Sequence, residues 1–159
     1  MIKLDDRDLK ILSILQKEGR ITKAALAEKI ALSPTPCWER LKRLEAEGII
    51  EAYEAKISLH SFGPIEIILM QAELESHRSE DFETFEKAVQ DIPEIVECWA
   101  VGGGVDYFLK FMTKDVDTYQ RLVDRMLNDR IGLRRYYSYV VTKAVKDTPS
   151  PPVPDQLDI

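Results

Sequence analysis

Long apolar runs are missing from this chain. The most extended, Ile65 to Met70, is broken by Glu66 and falls far short of the roughly 20 residues that a membrane-spanning helix needs. No helical span and no membrane partner are expected. The opening Met-Ile-Lys-Leu-Asp-Asp has neither an apolar signal core nor a small-residue cleavage site, so the expected location is the cytoplasm. Cysteine is scarce: Cys37 and Cys98 stand 61 positions apart, which is neither a disulfide framework nor a zinc-ligand spacing. Both are read as reduced thiols. His60 and His77 lack any nucleophile, base and orienter pattern around them, and Glu80, Glu83 and Glu86 read as the solvated face of a helix. No catalytic residue, metal ligand or cofactor is assigned, and the chain is not expected to be an enzyme.

An excess of positive charge is also lacking. The net charge of -6 argues at first against a nucleic-acid partner, because duplex binding draws on Lys and Arg to neutralise phosphates. The charge is unevenly placed, however. Residues 1–60 carry 11 Lys and Arg against 10 Asp and Glu, a net of +1, and the rest of the chain carries -7. With 45% hydrophobic and 31% charged residues in a length of 159, the composition is globular and the chain long enough for two small cores.

Leu4, Leu9, Ile11, Leu12 and Leu15 recur near helical spacing after Asp5 or Asp6 as a cap, with Lys17 and Gly19 closing the element. Thr22 opens a second short helix to about Ile30. Ser33-Pro34 then supplies an N-cap followed by proline at the first helical position, where its missing N–H costs nothing. Pro36 still lies in the first turn. Cys37, Leu41 and Leu44 form an inward stripe, and Gly48 ends the helix. Residues 49–58 alternate loosely and are read as a strand pair or wing. His60 to Pro64 combines turn residues with the charge shift, so the boundary is placed between residues 60 and 61. Beyond it the pattern gives a strand (Ile65 to Leu74), a helix capped by Ser79 (to Gln90), strands (Ile95 to Val101 and Asp106 to Met112), a helix (Val116 to Leu127) and a strand (Tyr136 to Ala144). This βαββαβ order predicts a ferredoxin-like sandwich whose antiparallel sheet has helices on one face and needs a partner on the other. The fold class is thus α+β over residues 1–60 and 61–146. Residues 147–159, with Pro149, Pro151, Pro152 and Pro154, are expected to be an extended or disordered tail.

Three helices with a short turn before the last make a helix-turn-helix, whose final helix enters the major groove of double-stranded DNA. Ser33, Thr35, Pro36, Trp38, Glu39, Arg40, Lys42 and Arg43 are the candidate DNA-binding residues, offering hydroxyl and cationic donors for phosphates and base edges. The competing reading makes Arg40, Lys42 and Arg43 a solvated helix face and packs Trp38 on the first helix. On the groove reading, loss of Arg40 or Arg43 weakens DNA binding and leaves the fold intact. Gly102-Gly103-Gly104-Val105-Asp106 lies between two strands, as either a hairpin turn or a loop that lets backbone approach a ligand. It lacks the spacing and lysine of a phosphate loop.

The segment Leu32-Ser33-Pro34-Thr35-Pro36-Cys37-Trp38-Glu39-Arg40-Leu41-Lys42-Arg43-Leu44-Glu45, with Gly48-Ile49-Ile50, resembles the Lrp/AsnC (leucine-responsive and asparagine-responsive) family of prokaryotic regulators. The likeness extends from Leu4-Asp5 and Asp8, through Leu15-Gln16 and Gly19-Arg20, to Val101–Leu109 and the Tyr139-Val140-Val141 strand. It implies a winged helix-turn-helix, a hinge strand and a βαββαβ effector domain, in homodimers that commonly build octamers. It also implies that Gly102, Gly103, Gly104 and Asp106, with Tyr136 and Ser138, line a site for an amino acid or related metabolite, the glycine amides holding a carboxylate and Asp106 an ammonium. Two departures stand out. Many relatives have Gly-Asp-x-Asp where this chain has Gly103-Gly104-Val105-Asp106, and Thr-x-Thr where it has Tyr136-Tyr137-Ser138. The implied function is a DNA-binding regulator of amino-acid metabolism or transport genes; the alternative is a metabolite-binding regulatory subunit of an amino-acid enzyme.

Overall fold

The computed structural model describes residues 3–147, the His60 side chain excepted, and residues 151–153. Their contacts divide them into two units: the described residues up to Ile57 together with those from Asp147 onward, and Ser58–Lys146. The tail therefore groups with the helical unit. Its described residues carry neither helix nor strand, and the expectation of an extended or disordered segment otherwise falls outside the described residues.

The first unit holds α1 (Asp6–Lys17), α2 (Lys23–Lys29) and α3 (Pro34–Ala46). Asp5 caps α1 through a reciprocal box: its side chain accepts the Arg7 and Asp8 N–H groups, while the Asp8 carboxylate accepts the Asp5 N–H. Thr22 caps α2 by accepting from the Ala25 N–H. Ser33 occupies the N-cap of α3 but its hydroxyl makes no capping bond; proline in the first turn leaves fewer donors to satisfy. After α3, Gly48 adopts φ +69 and the Ile49 and Ile50 N–H groups return to the Leu44 carbonyl, a helix stop that a left-handed glycine makes possible. The core is Ile11, Leu26, Ala27, Ile30, Cys37, Leu41 and Leu44. The strand pair or wing expected at 49–58 is not formed, since residues 51–58 carry no strand and are exposed throughout. A strand needs a neighbour for its backbone groups, and none of the described residues pairs with this stretch.

The second unit begins with a 3-10 turn, Leu59–Phe62, followed by β1 (Glu66–Leu74), α4 (Ser79–Gln90), β2 (Ile95–Ala100), β3 (Tyr107–Thr113), α5 (Val116–Asn128) and β4 (Leu133–Val140). The sheet order is β2-β3-β1-β4 with every pair antiparallel, the ferredoxin-like arrangement. Side chains alternate across it. Ile68, Met70, Ala72 and Leu74 of β1 and Tyr107, Leu109 and Phe111 of β3 face Phe85 and Val89 of α4 and Tyr119, Leu122, Val123 and Met126 of α5. Phe111 meets the Tyr119 ring edge-on at 5.1 Å. Two expectations shift. Ser79 is the first helical residue of α4, not its cap, a position taken by Arg78. The last strand starts at Leu133 and stops at Val140, because the Val141 N–H to the Ile67 carbonyl is the final bond that β1 can offer.

Between α2 and α3, Ala31 sits at φ 54, a left-handed conformation that costs an L-residue roughly 1–2 kcal/mol. Ala31→Gly removes that strain against some loss of unfolded-chain entropy. The expected result is a stabilisation of about 0.5–1 kcal/mol and a rise of a few degrees in the thermal midpoint, read by circular dichroism; a lower midpoint contradicts the strain.

Candidate nucleic-acid interface and effector loop

Helical geometry sorts the side chains of α3 into three faces. Cys37, Leu41 and Leu44 are buried in the core. Thr35, Glu39 and Lys42, at i, i+4 and i+7, form an exposed stripe that begins next to the exposed Ser33. The hydroxyls of Ser33 and Thr35 have no hydrogen-bond partner among the described residues. Pro36 is partly buried, and Trp38 is half-buried with Lys23 Nζ 3.1 Å and Lys42 Nζ 5.2 Å from its ring centre.

The third face carries Arg40 and Arg43, and it does not meet solvent alone. Arg40 Nη1 donates to Asp5 Oδ2 at 2.7 Å and to Asp8 Oδ1 at 2.9 Å, and Arg43 Nη2 donates to Asp8 Oδ2 at 2.6 Å. The Asp8 side chain is 0% exposed. Partial desolvation pushes the Asp5 carboxyl up, but the Asp8 N–H and the Arg40 guanidinium outweigh it and hold the group below its usual 3.8. The same carboxylates raise Arg40 above its ordinary value. The two arginines singled out for DNA thus also fasten α3 to the start of α1. The expectation that either is removed without harm to the fold does not agree with this geometry.

In the second unit, the Val101 N–H donates to the Asp106 carbonyl at 2.9 Å and closes the glycine loop. Gly102, Gly103 and Gly104 are exposed, and Gly103 at φ +149 has a conformation that L-residues rarely adopt. Asp106 has intrachain work. Its Oδ2 accepts the Leu74 N–H at 2.8 Å, where a bulge between Glu73 and Leu74 breaks the β1 to β4 register, and its Oδ1 lies 3.1 Å from His77 Nε2. His77 in turn stacks on Phe82. Tyr136 pairs with Ala72, whose other neighbour is Tyr107, so Tyr136 and the glycine loop occupy the same end of the sheet. Ser138 is two residues further along, its hydroxyl bonded to Tyr119 of α5. Burial and the Glu86 carboxylate push the Cys98 thiol up to about 11; it stays protonated and is a poor nucleophile. Cys37 is likewise free, with its thiol raised by burial.

Among the described residues of the second unit, nothing covers the sheet face opposite the helices. It presents Leu69 (39% exposed), Trp99 (49%), Tyr137 (47%) and Tyr139 (50%), with Phe108 at 36%.

A helix-turn-helix followed by a ferredoxin-like sandwich is the layout of a DNA-binding transcriptional regulator. Comparison with known proteins gives the same answer: residues 4–51 match the model for winged helix-turn-helix DNA-binding domains, and residues 67–151 the model for the Lrp/AsnC ligand binding domain. The chain belongs to the Lrp/AsnC family of transcriptional regulators. It is 52% identical over 145 residues to the transcriptional regulatory protein DoeX of Halomonas elongata, covering 91% of this chain and 92% of that one. It is 38% identical over 145 residues to the leucine-responsive regulatory protein of Escherichia coli, covering 91% and 88%. A Neisseria meningitidis transcriptional regulator solved with L-methionine superposes with a TM-score of 0.88 at 35% identity, over 94% of this chain and 97% of that one. The chain is a regulator, not an enzyme, and among the described residues no helix is long and apolar enough to cross a membrane.

Sequence reasoning overlooked four participants. Asp5 and Asp8, read only as capping and family residues, share the i, i+3 spacing of Arg40 and Arg43, and that match of opposite charges was the available signal. Lys23 stands directly after the N-cap of α2. His77 carried no signal, since its partner Asp106 lies 29 positions away.

Removal of Arg40 strips a buried carboxylate of one partner. We expect Arg40→Ala to cost roughly 2–3 kcal/mol, below the ~3–5 kcal/mol of a fully broken buried pair because Arg43 stays. Urea unfolding of the helical unit measures it, and a change under half a kcal/mol contradicts the assignment. The pH dependence follows from the lowered Asp5 value. Its contribution is complete above the ordinary carboxylate pKa and is lost as pH falls through the depressed one, so Asp5→Asn should flatten the acid limb below about pH 4.

Proposed function

We propose that the stripe Thr35, Glu39 and Lys42 of α3, with Ser33 at its start and Pro36 and Trp38 beside it, lies in the major groove of double-stranded DNA. The chain then regulates genes of amino-acid metabolism or transport in response to an amino acid or a closely related metabolite. The observation that carries the DNA contact is the division of α3: Arg40 and Arg43 are engaged by carboxylates, whereas Ser33, Thr35, Glu39 and Lys42 are exposed and their side chains have no hydrogen-bond or ion-pair partner among the described residues. Arg40 and Arg43 act on DNA chiefly by fixing the angle of α3.

The effector occupies the end of the sheet bounded by Gly102, Gly103, Gly104 and Asp106, with Tyr136 and Ser138 on the strand beyond β1. Backbone amides of the loop take its carboxylate, and the Asp106 carboxylate takes its ammonium while retaining the Leu74 N–H. The Neisseria relative solved with L-methionine supports the amino-acid class. The open sheet face pairs with a second copy, giving at least a homodimer that presents two recognition helices to two half-sites; higher forms such as octamers build from it. A ligand held between copies shifts assembly or DNA affinity by its preference for one arrangement, typically about 1–3 kcal/mol.

Titration of a duplex from the promoter region of its own gene tests the groove contact. Lys42→Ala and Thr35→Ala should each weaken binding, by about 1–3 kcal/mol where a base edge is read and less where a phosphate is held; unchanged affinity in both removes α3 from the groove. For the effector, calorimetry with the amino acids and their catabolic derivatives should find one that binds the wild type and binds Asp106→Asn more weakly. The amide oxygen keeps an acceptor for Leu74 while the charge and the second acceptor, beside His77, are lost, so equal affinity in this variant moves the site elsewhere.

A further inference from the structure

Helices α2 and α3 carry five basic side chains, Lys23, Lys29, Arg40, Lys42 and Arg43. Three are engaged: Lys29 with Glu18, and Arg40 and Arg43 with Asp5 and Asp8. Lys23 and Lys42 have no carboxylate partner among the described residues, and these two converge on one side chain. Lys23 Nζ stands 3.1 Å from the centre of the Trp38 ring and Lys42 Nζ 5.2 Å from it. Each is drawn to the negative face of the indole, yet two like charges at one ring repel. Lys23 also opens α2, the end of a helix where aligned peptide dipoles disfavour a cation. Neither helix stability nor ion pairing accounts for this pair. An anion within reach of both ammoniums would offset their repulsion, and Lys42 belongs to the exposed stripe of Thr35 and Glu39.

We propose that Trp38 is a positioning residue for DNA binding: its indole gathers Lys23 of α2 and Lys42 of α3 into a two-ammonium clamp on the phosphate backbone, and reads no base itself. This rests on α3 being the groove helix. The clamp adds Lys23, on a different helix, to the DNA surface, and gives the half-buried indole a task distinct from core packing. It acts on every sequence alike, because phosphates carry no base information.

The test is anisotropy titration of the full chain against a promoter duplex and an unrelated duplex across a range of salt concentrations. Trp38→Leu should weaken both duplexes by a similar factor, roughly tenfold, and make the log–log salt slope shallower by about 1–2. Trp38→Phe keeps an aromatic face and should restore the slope. Lys23→Ala, an exposed change that leaves the core alone, should lower the slope by about 1, and its effect should shrink when Trp38 is already Leu. An unchanged slope for Lys23→Ala overturns the clamp even if Trp38→Leu fails to fold. So does a Trp38→Leu protein that melts earlier yet keeps its slope, or one that loses affinity for the promoter duplex alone. A flat response to both Lys42→Ala and Thr35→Ala is the failure of the groove reading, and the clamp falls with it; a flat Lys23→Ala while those two respond is the failure of the clamp alone.

Discussion

A carboxylate with no access to water sets the geometry of the helical unit. Asp8 accepts from the Asp5 N–H, from Arg40 and from Arg43, so the cost of burying its charge is offset by donors on nearly every side. Two of those donors come from a helix that begins 26 residues later in the chain. The result is a bond network that joins the first turn of α1 to the middle of α3 and leaves α3 little freedom to roll. Rolling matters because Thr35, Glu39 and Lys42 lie on a narrow stripe, and one residue of rotation about the helix axis would turn the arginines outward in their place.

The second unit is governed by a simpler constraint. Its sheet has two faces and its helices cover one. Phe85, Tyr107, Phe111 and Tyr119 fill the covered side, where Tyr107 donates to Glu86 at 2.8 Å and its ring lies tilted against that of Phe85, 4.7 Å between centres. The other side carries aromatic residues at the same alternating positions, with two charged cross-strand pairs among the described residues, Lys110 to Glu97 at 2.8 Å and Arg135 to Glu73 at 3.6 Å. The hairpin that ends in the glycine loop is tied to β1 from both directions, by the Asp106 N–H to the Ala72 carbonyl and by the Asp106 carboxylate to the Leu74 N–H. A change in the loop therefore reaches β1 and, through its register with β4, Tyr136.

Local signals were legible. Ser33-Pro34 and Gly48 mark the ends of α3, the Cys37, Leu41 and Leu44 stripe marks its inner face, and alternation with turn residues yields the βαββαβ order. These are effects of neighbours in sequence, where spacing alone decides. The destinations of Arg40 and Arg43 were not legible from α3, because a guanidinium on an amphipathic helix looks the same whether it faces phosphate, water or a carboxylate on another helix. The start of β4 was missed for a related reason: Leu133 is a strand residue only because Leu74 is there to pair with it across a bulge. Residues 51–58 alternate as a strand does, but alternation supplies no partner.

The tail returns to the helical unit. The Gln16 side chain amide donates to the Pro151 carbonyl at 3.0 Å and accepts the Val153 N–H at 2.9 Å, and Lys56 meets Asp147 at 2.7 Å. In terms of connectivity, the sandwich is an insertion within the helical unit, entered after Ile57 and left before Asp147. A ribosome makes α1 to α3 before the segment that meets Gln16, with the whole sandwich in between. The three helices must therefore hold together without that segment while the sandwich is being made, and the helical unit gains these contacts only after the sandwich has been made.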